Sequence, residues 1–295
     1  MAADAEVPGP AGVHLGRRYL VVLAVVGAWM LTGFVFHMTG NAYLILGVPL
    51  LYAFQTLVAR RPVSELWFKR PAVAPVPPWA WAVAAAFMVF PCTCLVREWG
   101  YSEWDVRLWY CCAIAGSVPL AMSVARFSRK DVGPLLLCLA TAGVLGILFV
   151  AVPNFLAHHL RTASAGAHGR GLDPRLREMA RSLALYVPVV FILEEVFFRG
   201  GLDSYLHRSD DRDPWISAGF VSALWGLWHL PLVLPGLLAA SAAWAGIIAV
   251  IIALVSVHYA MGVFLTMGWR RSGLLLIPAF VHAFVDAVRN GLSLH

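Results

Sequence analysis

At 295 residues, 60% of them hydrophobic and only 13% charged, the chain differs from an average soluble domain, which is about 45–50% apolar and about 25% charged. A mean hydropathy of +0.76 excludes a water-soluble globule, because so much apolar surface has lipid as its natural solvent. The formal charge of +6 sits at the ends of apolar runs rather than in a patch interleaved with aromatics, which argues against nucleic acid as a partner.

In chain order, residues 1–18 read as an amino-terminal tail. Apolar runs follow at about 19–36, 42–59, 79–96, 108–125, 134–156, 182–198, 215–234, 244–267 and 273–288. Each approaches the roughly 20 residues needed to cross about 30 Å of hydrocarbon. The expectation is an all-α, polytopic transmembrane bundle of eight or nine spans, forming one membrane domain over 19–290. The first run, from Tyr19, lacks a small-residue cleavage site and reads as a retained helix. Cys92, Cys94, Cys111, Cys112 and Cys138 fall in or beside apolar runs without zinc-site spacing and read as packing residues. With the amino terminus placed inside, fourteen of the 22 basic residues fall on inside segments, the distribution expected of a multi-pass protein. The segment 157–181 is the exception, carrying Arg161, Arg170, Arg175, Arg177 and Arg181 outside. Its stretch from Asp173 reads as an interfacial amphipathic helix, with Asp173 as N-cap and Pro174 at the first helical position.

Of the sixteen acidic residues, only Glu194, Glu195 and Asp286 fall inside apolar runs. Placing an ionisable side chain at bilayer depth costs at least about 2.5–3.5 kcal/mol, so such groups face a cavity, a partner or a substrate path. His229, His258 and His282 lie in the same late runs. On a helix Glu195 and Arg199 are four apart and can pair, while Glu194 points about 100° away and is free for chemistry. Trp225 precedes His229 by four residues, and His282 precedes Asp286 by four, a spacing that suits either a site or a simple hydrogen bond within a bundle. Counting about 1.5 Å per residue from the inside ends puts Glu194 at about 6 Å, His282 at about 14 Å and His229 at about 21 Å. The three reach a common depth only if the helix of Glu194 continues past Arg199 to about Tyr205.

These residues resemble the signature of the CPBP intramembrane proteases, also known as the CAAX protease and bacteriocin-processing or Abi family. Glu194, Glu195 and Arg199 match its Glu-Glu-x-x-x-Arg, Trp225 and His229 its aromatic-x-x-x-His, and His282 and Asp286 its His-x-x-x-Asn/Asp. The resemblance covers about 182–290 and departs from the commoner pattern in having Trp225 for phenylalanine and Asp286 for asparagine. It implies a glutamic-type intramembrane endopeptidase requiring no cofactor, with catalytic residues Glu194, His229, His282 and Asp286, and with Glu195, Arg199 and Trp225 as supports. It also implies a membrane-associated protein or peptide as substrate: a prenylated carboxy-terminal peptide, a bacteriocin leader, or a carboxy-terminal sorting or anchor segment. The location it suggests is a bacterial inner membrane. A zinc-dependent protease with Glu194, His229 and His282 as ligands stays open. So does a transporter or scaffold with a buried Glu/His cluster, although no internal repeat favours transport.

Overall fold

A computed structural model describes residues 11–70, 75–153, 172–207, 213–239 and 243–293. Among these residues the secondary structure is helical, apart from one isolated antiparallel bridge between Phe68 and Leu274. The helices are α1 (Ala11–Val35), α2 (Gly40–Ala53), α3 (Pro78–Glu98), α4 (Trp104–Val124), α5 (Arg129–Cys138), α6 (Leu172–Leu193), α7 (Pro214–Trp228), α8 (Leu230–Ala239), α9 (Trp244–Ser272) and α10 (Leu276–Leu292). Two of the longer spans continue beyond their α-helical part. Helix α2 passes into a π-helical turn over Phe54–Ala59, and α5 is prolonged by π-helical turns at Leu139–Gly143 and Ile147–Ala151.

Among the described residues seven helices are long and apolar enough to cross a membrane, and the protein is an integral membrane protein. The two expected runs outside that set are 182–198 and 273–288. They become α6, whose first half carries Asp173, Arg175, Arg177, Glu178 and Arg181, and α10, which at 17 residues is shorter than any of the seven. The anticipated interfacial helix takes a different form. Leu172–Leu193 is a single helix whose exposed first turn carries Asp173, paired with Arg177 at 2.6 Å, and whose later residues enter the core. Asp173 is therefore inside the helix rather than capping it, because the polar start and the apolar continuation share one axis. The rest of that segment, 157–171, and the tail 1–10 lie outside the described residues.

The most extensive packing joins α7 with α9 and α6 with α10. An aromatic core joins further elements: Trp29, Tyr43, Phe197, Phe198, Trp225 and Trp228 meet in edge, tilted and stacked contacts with centroids 4.6–6.3 Å apart. Its polar edges are bonded internally, as lipid requires: Trp29 Nε1 donates to Tyr43 O at 2.9 Å, and Tyr43 OH donates to Trp228 O at 2.9 Å. Two glycines allow close approach. A Cβ on Gly226 would lie 2.8 Å from Val255 Cα, and one on Gly262 would lie 2.7 Å from Ser222 Oγ and 2.8 Å from Arg199 Nη2.

At the end of the bundle where α6 finishes and α7 and α10 begin, buried ion pairs tie the elements together. Arg270 on α9 binds Asp203 at 2.5 Å and 3.0 Å and donates to Pro214 O and Ser217 Oγ. Arg70 binds Asp131, and Arg61 donates to Ser204 O at 2.7 Å.

Candidate active site

The site begins where α6 changes its winding. Glu194 is a turn residue whose carbonyl accepts from both Phe197 N and Phe198 N at 3.0 Å, and from Val196 to Asp203 the chain is π-helical before a last α-turn at Ser204–Leu206. The helix therefore does run on past Arg199 to Leu206, through residues that read as polar in sequence. They are buried because each has a partner: Arg199 has Glu195, Asp203 has Arg270, and Gly200 lies beneath the backbone of Leu66. π-turns inside helices often mark functional sites, and here one separates the roles of two adjacent glutamates.

Glu195 is fully buried. Its Oε1 accepts from Arg199 Nη1 at 3.0 Å and from His282 Nδ1 at 2.9 Å, so one carboxylate oxygen ties α6 to α10. The Arg199 guanidinium stacks over the Trp225 ring at 4.2 Å, adding a cation–π contact to the ion pair. Glu194 turns the other way, and Trp225 Nε1 donates to its Oε2 at 3.2 Å. Trp225 thus spaces the two glutamates: its face holds the arginine of one and its N–H holds the carboxylate of the other.

His229, at the end of α7, bonds through Nδ1 to Trp225 O at 2.8 Å. A carbonyl only accepts, so Nδ1 carries the proton and Nε2 keeps its lone pair. His282 presents Nε2 to Asp286 Oδ2 at 3.6 Å, beyond hydrogen-bond length, while Asp286 Oδ1 pairs with Arg289 at 3.1 Å.

Glu194, His229, His282 and Asp286 line one cavity of about 510 Å³ with apolar walls that include Val233, Val250, Leu254, Met261 and Val285. Three separate helices converge there, with Trp225 and the Glu195–Arg199 pair immediately behind. Two further residues lining this cavity were not singled out as site residues in the sequence. Arg289 is the partner of Asp286. His258 on α9 has its ring 4.2 Å from that of His229 and 4.6 Å from Trp225. It is set in a uniformly apolar stretch, without motif spacing to the other residues.

Among the described residues no three His, Cys, Asp or Glu side chains are arranged to hold a metal ion. Nδ1 of His282 is engaged by Glu195 and Nδ1 of His229 by a carbonyl, so Nε2 is the ring nitrogen left to each for a further partner. Compared with known families, residues 177–288 match the model described as Rce1-like, Type II CAAX prenyl endopeptidase. No curated protein and no solved structure matches the chain.

Proposed function

We propose, from the match of residues 177–288 to the Rce1-like type II CAAX prenyl endopeptidase model, that the protein hydrolyses a peptide bond of a membrane-associated protein or peptide by a metal-free, glutamate-activated water. The observation that carries this reading is the convergence of Glu194, His229, His282 and Asp286 from three helices on one apolar-walled cavity.

In this reading a water lies between Glu194 and Nε2 of His229. Glu194 takes one of its protons as the oxygen adds to the scissile carbonyl carbon. His282, carrying a proton on each ring nitrogen, donates Nε2–H to the oxyanion that forms. Glu195 fixes the opposite nitrogen, while Asp286, held by Arg289, lies 3.6 Å from Nε2 as a nearby negative charge. Collapse of the tetrahedral intermediate breaks the C–N bond, and the proton held by Glu194 passes to the departing nitrogen, giving a new amine and a new carboxylic acid, which then loses its remaining proton to water. The walls of valine, leucine and methionine suit a segment with aliphatic side chains around the cleaved bond. Within the family's range this favours a lipid-anchored or carboxy-terminal anchor segment over a polar leader.

The test is reconstitution of purified protein in liposomes with a fluorogenic, membrane-anchored peptide. Cleavage by the wild type, and its loss by about 100-fold or more in Glu194→Gln, is expected from removal of a general base. An intact peptide in both samples contradicts the reading.

A further inference from the structure

His258 belongs to no part of the mechanism above, yet it lines the same cavity. Its position is enforced by packing: α9 lies so close to α7 at Gly226 that a Cβ there would meet Val255 Cα at 2.8 Å and His258 Cβ at 3.2 Å. Its ring stands edge-on to Trp225 at 87° and lies 4.2 Å from the ring of His229, tilted by 38°. Nδ1 bonds to Leu254 O at 2.7 Å, the same bond to the carbonyl four residues earlier that His229 makes with Trp225. That bond places the proton on Nδ1 and leaves Nε2 as a hydrogen-bond acceptor.

Most buried side-chain polar atoms are hydrogen-bonded, and among the described residues the hydrogen bond of the His258 ring is the one through Nδ1. Among the polar groups lining the cavity, Glu194 and His229 hold the water in the proposed mechanism, His282 donates to the oxyanion, and Asp286 and Arg289 pair with each other. His258 Nε2 and the Tyr186 hydroxyl are the remaining acceptors, and of the two the imidazole is the one whose ring lies against that of His229. A substrate peptide needs an acceptor, because in a trans peptide the C=O and N–H point in opposite directions. A carbonyl held toward a donor therefore turns its N–H away, and in an apolar cavity that N–H is left without water.

We infer that His258 is a substrate-binding residue whose Nε2 accepts a hydrogen bond from the N–H of the scissile peptide, fixing the carbonyl for attack. The inference rests on the proteolytic reading and concerns the residue that holds the substrate, leaving the identity of the base untouched.

The experiment compares the wild type with His258→Gln, whose side-chain oxygen can accept near the position of Nε2, and with His258→Leu, which cannot accept. Each is assayed on the membrane-anchored fluorogenic peptide and on its ester analogue, in which oxygen replaces the scissile N–H, and thermal unfolding in detergent monitors the fold. On the amide, His258→Leu is expected to lose about tenfold in kcat/KM, the worth of one buried hydrogen bond, whereas His258→Gln retains most of the activity. On the ester the two variants and the wild type should converge. Equal losses on amide and ester, or no loss with leucine, overturn the inference while leaving proteolysis standing. Uncut peptide in the wild type refutes the proteolytic reading itself. If His258→Leu fails to fold, His258→Phe takes its place in the comparison; failure of both to fold assigns the residue to structure and overturns the inference.

Discussion

The two adjacent glutamates show how one helical step separates structure from chemistry. Glu195 accepts from both Arg199 and His282 with no exposure to solvent, so Glu195→Gln leaves a buried guanidinium without its charge partner. Breaking such a pair costs about 3–5 kcal/mol. The expected result is a marked fall in thermal stability and in yield of folded protein, read by unfolding in detergent. Among the described residues the Glu194 carboxylate has one hydrogen bond, from Trp225, so Glu194→Gln should fold with a nearly unchanged midpoint. Equal loss of stability in both variants would contradict the division of roles. Asp286 touches His282 only at 3.6 Å and is otherwise held by Arg289. Asp286→Asn keeps its shape and brings the site to the family's commoner residue, so peptide cleavage should remain close to wild type. A loss as large as that of Glu194→Gln would make Asp286 essential to the chemistry.

The helices bring these residues together through details that hydropathy does not register. Spacing made the pairing of Glu195 with Arg199 and the shared face of His282 and Asp286 readable in sequence. The extension of the Glu194 helix to Leu206 was readable only as a condition, because Arg199, Gly200, Gly201 and Asp203 look like a polar loop until Arg270 and Leu66 arrive from distant elements to bury them. His258 was hidden for a related reason. It lies 29 positions from His229 in sequence, and only the close approach of α7 and α9 at Gly226 makes them neighbours. Gly262 has the corresponding role beside Arg199. Gly262→Ala should therefore overpack the α7–α9 contact and destabilise the protein by about 1–3 kcal/mol, visible as a lower unfolding midpoint. An unchanged midpoint would show that Ser222 and Arg199 move aside freely.

At the scale of the molecule, the charge asymmetry along the bundle agrees with the packing. Arg60, Arg61, Lys69, Arg70, Arg126 and Arg270 surround one cavity at the end of the bundle where Phe68 bridges to Leu274. Segments distant in sequence are thus on one side, as an alternating set of spans requires. The positive-inside rule predicts that this side faces the cell interior. In intact cells or spheroplasts, an impermeant thiol reagent should label Tyr101→Cys, which is highly exposed at the opposite end, and spare Ser64→Cys, with the native cysteines replaced in both. The reverse labelling would invert the topology.

The most direct test of the account is the rate of cleavage of a membrane-anchored fluorogenic peptide by reconstituted wild type and Glu194→Gln, each measured with a strong chelator and again with added zinc. The account predicts full wild-type activity under chelation, and a loss of about 100-fold or more in Glu194→Gln that zinc does not restore. Wild-type activity abolished by chelation and recovered with zinc would contradict it.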